Sequence, residues 1–171
     1  MTLIDLYNIF TAIEYEKLYG PTTITSVWVG PSWLAVSPDR LIPGGVLEIK
    51  SSDCHNIKLE WICQITYQLA VLQRSFAHLA VCNLDAERRL HIYEIKFSKT
   101  IWAWIYKRMD YFYKCLLTEE EPIHLPYIKK EFKRCPSSKD QTPLGLKLFP
   151  WNHLKVKIIY DQILESNSIL I

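Results

Sequence analysis

The feature that most constrains this chain is a β-forming pair, a tight turn and a longer β-forming run: Leu41-Ile42, Pro43-Gly44-Gly45, then Val46-Leu47-Glu48-Ile49-Lys50. Proline presets one backbone angle of a turn and glycine accepts angles that other residues avoid, so the order predicts a β-hairpin. Asp39 comes just before the first run and Glu48 lies in the second. Because a strand alternates its side chains between two faces, Glu48 and Lys50 share one face, and Asp39 falls in a bend where the chain can aim it.

Helical spacing flanks this unit. Residues 3 to 19 place Leu3, Leu6, Tyr7, Phe10, Ile13 and Leu18 near a 3.6-residue period, and Gly20-Pro21 ends the segment. From Leu59 to Gln73 the residues Trp61, Ile62, Ile65, Leu69 and Leu72 predict an amphipathic helix that carries Gln64 and Gln68 four apart on one face. Further strands are predicted at Ile24 to Val29 and Trp33 to Val36, around the turn Gly30-Pro31-Ser32. Two more, His78 to Cys82 and His91 to Phe97, flank a polar connection. A third helix runs from about Ser98, a candidate N-cap, to Leu117. This order predicts an α/β fold, a mixed layer around a central sheet rather than a series of identical βα units.

Beyond Glu121 the character changes, with Pro122, Pro126, Pro136, Pro143 and Pro150 interrupting any long element. Ile128 to Arg134 is a short basic stretch with one aromatic, and Trp151 to Ile163 suits a further strand or helix. The expected organisation is a core over residues 1–120 and an extension over 121–171 packed on the same domain.

Composition excludes several classes of function. With 171 residues, about half of them apolar, the chain can bury a core of its own. A formal charge of +2 is too small for phosphate backbones to be held by bulk charge, so a nucleic-acid site has to be local. Lys58, Arg74, Lys107, Arg108, Lys129, Lys130, Lys133 and Arg134 are candidate phosphate contacts, although scattered basic residues are ordinarily solvated surface. The five cysteines include no CxxC pair, which argues against a disulfide framework or zinc ribbon, and the adjacent Cys54 and His55 make poor joint ligands with Cys63. There is no GxSxG elbow and no P-loop. No stretch nears the roughly 18 apolar residues of a membrane helix, so the expectation is a soluble, intracellular protein in cytoplasm or nucleus with no membrane partner.

The chemistry lies around the hairpin. Two carboxylates, Asp39 from a bend and Glu48 from the adjoining strand, can converge on a hard cation such as Mg²⁺, which prefers oxygen ligands. Lys50 on the same face can orient or activate an attacking water and offset charge growing on phosphorus. The competing reading makes Glu48 and Lys50 one exposed charged face of a strand.

Three segments carry a resemblance to a known family: Trp33-Leu34-Ala35-Val36-Ser37-Pro38-Asp39, Leu47-Glu48-Ile49-Lys50-Ser51-Ser52 and Cys63-Gln64-Ile65-Thr66-Tyr67-Gln68-Leu69. They resemble the "GASPDG", "LEIKCP" and "AQVQYQM" segments of the PD-(D/E)XK nucleases, in the lambda exonuclease or YqaJ-type viral recombinase branch. The resemblance runs from Trp33 to about Lys96. It implies a restriction-endonuclease-like core with a central mixed β-sheet flanked by helices. It also implies a Mg²⁺- or Mn²⁺-dependent deoxyribonuclease, an exonuclease serving DNA processing or recombination, with DNA as partner. Self-assembly is left open, some relatives being rings.

Carried over, the resemblance makes Asp39 and Glu48 metal ligands, adds the backbone carbonyl of Ile49, makes Lys50 the water-orienting residue and places Gln64 beside it. The chain departs from the family at two points. Arg40 stands where glycine is common, and counting back from Tyr15 to the usual first-helix glutamate lands on the neutral Asn8, with Asp5 three residues earlier as a substitute. These departures define the alternative, a weak or inactive nuclease-fold protein that binds nucleic acid or a protein partner.

Overall fold

A computed structural model describes residues 3–30, 33–52, 57–83, 89–121 and 149–163. Cys54, His55, most of the proline-rich segment and the basic stretch 128–134 lie outside the described residues. The chain divides into two compact units, residues 1–97 with 155–171, and residues 98–154.

The first unit holds the sheet. Helix α1 (Leu3–Tyr19) is followed by a small antiparallel pair, β1 (Trp28–Val29) with β2 (Ala35–Val36). The hairpin forms as the sequence predicts: β3 (Arg40–Ile42) pairs antiparallel with β4 (Gly45–Ser52), Ile42 opposite Gly45, leaving Pro43-Gly44 as the turn. Gly44 has φ +74°, a left-handed angle that a side chain would strain. Gly45 is needed for another reason. A Cβ there would come within 2.9 Å of the Phe76 carbonyl oxygen.

Helix α2 (Leu59–Val71) carries the chain over to β5 (Phe76–Asn83), which lies parallel to β4. Parallel neighbours need such a crossover connection. Strand β6 (Arg89–Lys96) then pairs antiparallel with β5, and β7 (Val156–Ile163) pairs antiparallel with β6 through a register shift at Ile92/Tyr93. The result is a five-stranded mixed sheet in the order β3-β4-β5-β6-β7, an α/β architecture with helices packed on it. Of the two options the sequence left for residues 151–163, a 3-10 turn occupies Trp151–His153 and the strand follows.

Alternation along β4 separates two environments. Leu47 and Ile49 pack with Ala12 and Tyr15 of α1 and with Ala80, Leu90 and Ile92 in one buried cluster. Glu48 and Lys50 point the other way and meet α2 through the hydrogen bonds described below. The face of α1 that is buried differs from the one its large apolar residues mark. Thr11, Ala12 and Tyr15 are buried, whereas Leu6, Ile9, Ile13 and Leu18 are exposed. The helix is apolar on both sides, so periodicity cannot choose between them, and the small Thr11 and Ala12 let the backbone approach the sheet closely.

In the second unit, helix α3 (Lys99–Thr118) begins at Ser98, whose side chain accepts a hydrogen bond from the Ile101 N–H, the N-cap expected from sequence. Phe149 packs edge-on against Trp104 and tilts against Trp151. Among the described residues no helix is long and apolar enough to cross a membrane.

Candidate active site

Glu48 is the centre of the site. It stands in the middle of β4, flanked by buried Leu47 and Ile49 that fix the strand, and is itself only 1% exposed. A charged carboxylate at that depth is costly unless several donors reach it. Three do. Lys50 Nζ donates to Oε1 at 2.6 Å, Gln64 Nε2 donates to the same oxygen at 2.6 Å, and Gln68 Nε2 donates to Oε2 at 2.8 Å. Lys50 Nζ also donates to Gln64 Oε1 at 3.0 Å, closing a ring of Glu48, Lys50 and Gln64. The Glu48–Lys50 ion pair is buried on one side only, since the lysine side chain keeps 23% of its exposure.

Asp39 arrives from the other side of the hairpin. Arg40 is the first residue of β3 and pairs with Leu47, so Asp39 comes just before the paired stretch, beside the middle of β4. Its Oδ2 accepts the Ile49 N–H at 2.7 Å, taking the place that a strand backbone would otherwise fill. Within a strand the N–H and C=O of one residue point to the same edge, so the Ile49 carbonyl is directed to the edge where Asp39 stands. Burial pushes the Glu48 carboxyl up from the usual range, the nearby Asp39 charge pushes it further, and Lys50 and Gln68 pull it down. Two carboxylates and one ammonium leave an excess of negative charge next to a buried oxygen.

The structure thus brings Asp39, Glu48, the Ile49 backbone, Lys50 and Gln64 into one contact network. The glycine-to-arginine departure proves harmless to the bend. Arg40 does not have a positive φ, and its guanidinium donates to the Asp39 carbonyl at 3.1 Å. Its pairing with Leu47 places it on the α1 face, away from Glu48. Asn8 reaches the neighbourhood differently: its Oδ1 accepts from Ser51 Oγ at 2.9 Å, next along β4 from Lys50. Asp5 stands exposed in the first turn of α1.

Sequence reasoning missed Gln68 as a member of the network. Its spacing from Gln64 signals a shared helix face, but the sequence does not tell that this face meets Glu48. It also missed Tyr67, whose hydroxyl accepts the Ala35 N–H at 3.0 Å and ties α2 to the strand leading into Asp39. Of the basic residues proposed for phosphate contact, Lys58 lies over the Trp61 ring at 5.0 Å and Arg108 over Trp104 at 3.5 Å. Among the described residues no group of three or more His, Cys, Asp or Glu side chains is placed to hold a metal, so any cation here relies on two carboxylates and backbone oxygen. That donor set is all oxygen and suits a hard divalent ion that keeps part of its hydration.

No protein-family model matches this sequence, and no curated protein matches it. Among solved structures the chain is similar to an alkaline exonuclease, LHK-Exo, from Laribacter hongkongensis. The TM-score is 0.61 at 19% identity, over 70% of this chain and 71% of that one. The same enzyme in complex with dAMP gives a TM-score of 0.62 at 20% identity, over 68% and 67% of the two chains. The protein therefore shares the α/β fold of that alkaline exonuclease.

Proposed function

We propose that the protein is a divalent-metal-dependent deoxyribonuclease of the PD-(D/E)XK type, in the lambda exonuclease or YqaJ-like branch. The observation that carries the reading is the buried Glu48 carboxylate, bonded through one oxygen to both Lys50 and Gln64, with the Asp39 carboxylate bonded to the next residue of the strand, Ile49. Asp39, Glu48 and the Ile49 carbonyl would hold Mg²⁺ or Mn²⁺, the ion supplying Lewis-acid polarisation of a phosphodiester oxygen and of water when bound.

The chain's own residues do the remaining work. Lys50 keeps a partly exposed ammonium beside the buried Glu48, placed to steer a water and to offset charge gathering on phosphorus. Gln64 holds that ammonium through its Oε1 while its amide group faces Glu48, so the two polar ends of one side chain set the positions of both. Glu48 is buried, and donors to both of its oxygens fix the direction its carboxylate presents. Processing of DNA ends in viral or mobile-element recombination, an intracellular setting and possession of an exonuclease rather than endonuclease action belong to this same reading, resting on the sequence resemblance and on the fold shared with LHK-Exo.

A second reading, a nuclease fold that binds DNA or a protein without turnover, draws on Asn8. Its amide is bonded to Ser51 and provides no carboxylate from the first helix. One assay separates the two. Linear and circular duplex DNA are incubated with Mg²⁺ and wild-type protein or Lys50→Ala. The nuclease reading expects degradation of linear DNA by the wild type only. Equal cleavage by both proteins refutes the assigned site, and binding to DNA with no cleavage by either supports the second reading.

A further inference from the structure

We propose that Gln68 is a positioning residue for this site, the group that sets the direction of the Glu48 carboxylate; the inference rests on the metal-dependent reading above. Gln68 lies in the buried stripe of α2, beside Leu69 and one turn from Ile65, and is 2% exposed. A leucine or methionine would fill such a position without the cost of burying an amide. What the amide contributes is direction. Glu48 Oε1 already takes both Lys50 and Gln64, and the donor that reaches Oε2 is Gln68, at 2.8 Å. With both oxygens held, the carboxylate cannot rotate about its last bond.

The other end of the same amide supports this assignment. Gln68 Oε1 is buried and has no hydrogen-bond partner among the described residues. Turning the amide over would not help, because it would set that oxygen against an ionised carboxylate. A half-satisfied buried amide weakens a fold, so its presence points to a use other than stability. Groups that orient ligand carboxylates typically change metal affinity about 10- to 100-fold when removed.

The test uses the full chain and Mn²⁺ alone as probe, titrated by calorimetry, with thermal unfolding followed in parallel. Gln68→Met keeps the length of the side chain and removes its hydrogen bonds. The expected result is Mn²⁺ binding weakened about 10- to 100-fold in protein that remains folded, with the melting temperature lowered by no more than one undonated buried carboxylate oxygen costs. A purely structural role would lower the melting temperature and leave affinity unchanged. Gln68→Asn, which stays polar but cannot span to Glu48, is read in the same way and covers the case in which the methionine variant does not fold. Mn²⁺ binding that is lost in Asp39→Asn but unchanged in both Gln68 variants overturns the role of Gln68 alone. Absence of Mn²⁺ binding by the wild type overturns the metal site itself, and this inference with it.

Discussion

The two faces of β4 are built from consecutive residues and do opposite things. On one face Leu47 and Ile49 join Ala12, Tyr15, Ala80, Leu90 and Ile92 in an apolar cluster, at the edge of which the Tyr15 hydroxyl is hydrogen-bonded to His78 Nδ1 at 2.6 Å. On the other face Glu48 and Lys50 meet Gln64 and Gln68, four polar side chains in a connected network, with Asp39 bonded to the adjacent Ile49 N–H. The first arrangement gains from burial. The second spends part of that gain to hold a carboxylate where its charge is disfavoured, as sites built for chemistry commonly do. The lesson is that the rigidity of the polar face comes from the apolar one. A strand gripped on one side by its core presents the other side at fixed angles.

The sharpest way to break this division is to remove a group from each face and compare activity per folded molecule. Lys50→Met is expected to lower DNA cleavage per folded molecule by about 10²- to 10³-fold, the scale for losing one preorganised charge-stabilising group, beyond whatever stability is lost with the Glu48 ion pair. Leu47→Ala is expected to destabilise the fold by about 2–5 kcal/mol through a core cavity, with cleavage per folded molecule retained. Should Leu47→Ala abolish cleavage in protein that is still folded, the faces are not separable in the way described.

A smaller effect sharpens the same contrast. Tyr15→Phe removes the hydroxyl bonded to His78 and leaves a buried ring nitrogen without that partner, which is expected to cost about 1–3 kcal/mol and to leave Mn²⁺ affinity unchanged. Urea unfolding and Mn²⁺ titration of the same sample decide it. A change in affinity would show that the aromatic contacts of α1 reach the carboxylates through the sheet.

The difference between the faces also explains what could be read from the sequence. The hairpin was legible because Pro43 presets one turn angle and the glycines after it accept the angles a tight turn needs, and the alternation along Val46 to Lys50 then separated Glu48 and Lys50 from Leu47 and Ile49 without further information. Gln64 was legible through a resemblance to known segments. The buried face of α1 was not, since Leu6, Ile9 and Ile13 advertise burial as strongly as Ala12 and Tyr15 do, and only the sheet decides which side it covers. Gln68 was half legible: its spacing put it on the right face, but a hydrogen bond between a helix and a strand twenty residues apart depends on packing that no local pattern encodes. Arg40 shows the converse. A residue that looked like a departure from a glycine position turned out to occupy ordinary strand backbone.

The least of the expected effects is a dependence of stability on pH, and it discriminates the faces by sign. Burial lowers the pKa of His78 below its ordinary 6.5, with Glu94 opposing and Lys96 assisting. The unfolded chain therefore takes up the proton first, so this face contributes stability that is present above pH 6.5 and lost as pH falls through that value toward the folded pKa. Glu48 behaves in the opposite sense. Burial and then Asp39 raise its pKa above 4.5, so the folded protein takes up the proton first and stability falls as pH rises from 4.5 through the folded value. Between pH 4.5 and 6.5 the two contributions oppose each other, and the wild type is expected to show a flatter profile than either variant. His78→Asn leaves the Glu48 contribution and should gain stability as the medium is acidified across this range. Glu48→Gln leaves the His78 contribution and should lose it. Melting temperatures measured in metal-free buffers across that range test both, and parallel slopes in the two variants would mean that the faces do not carry the opposed charges assigned to them.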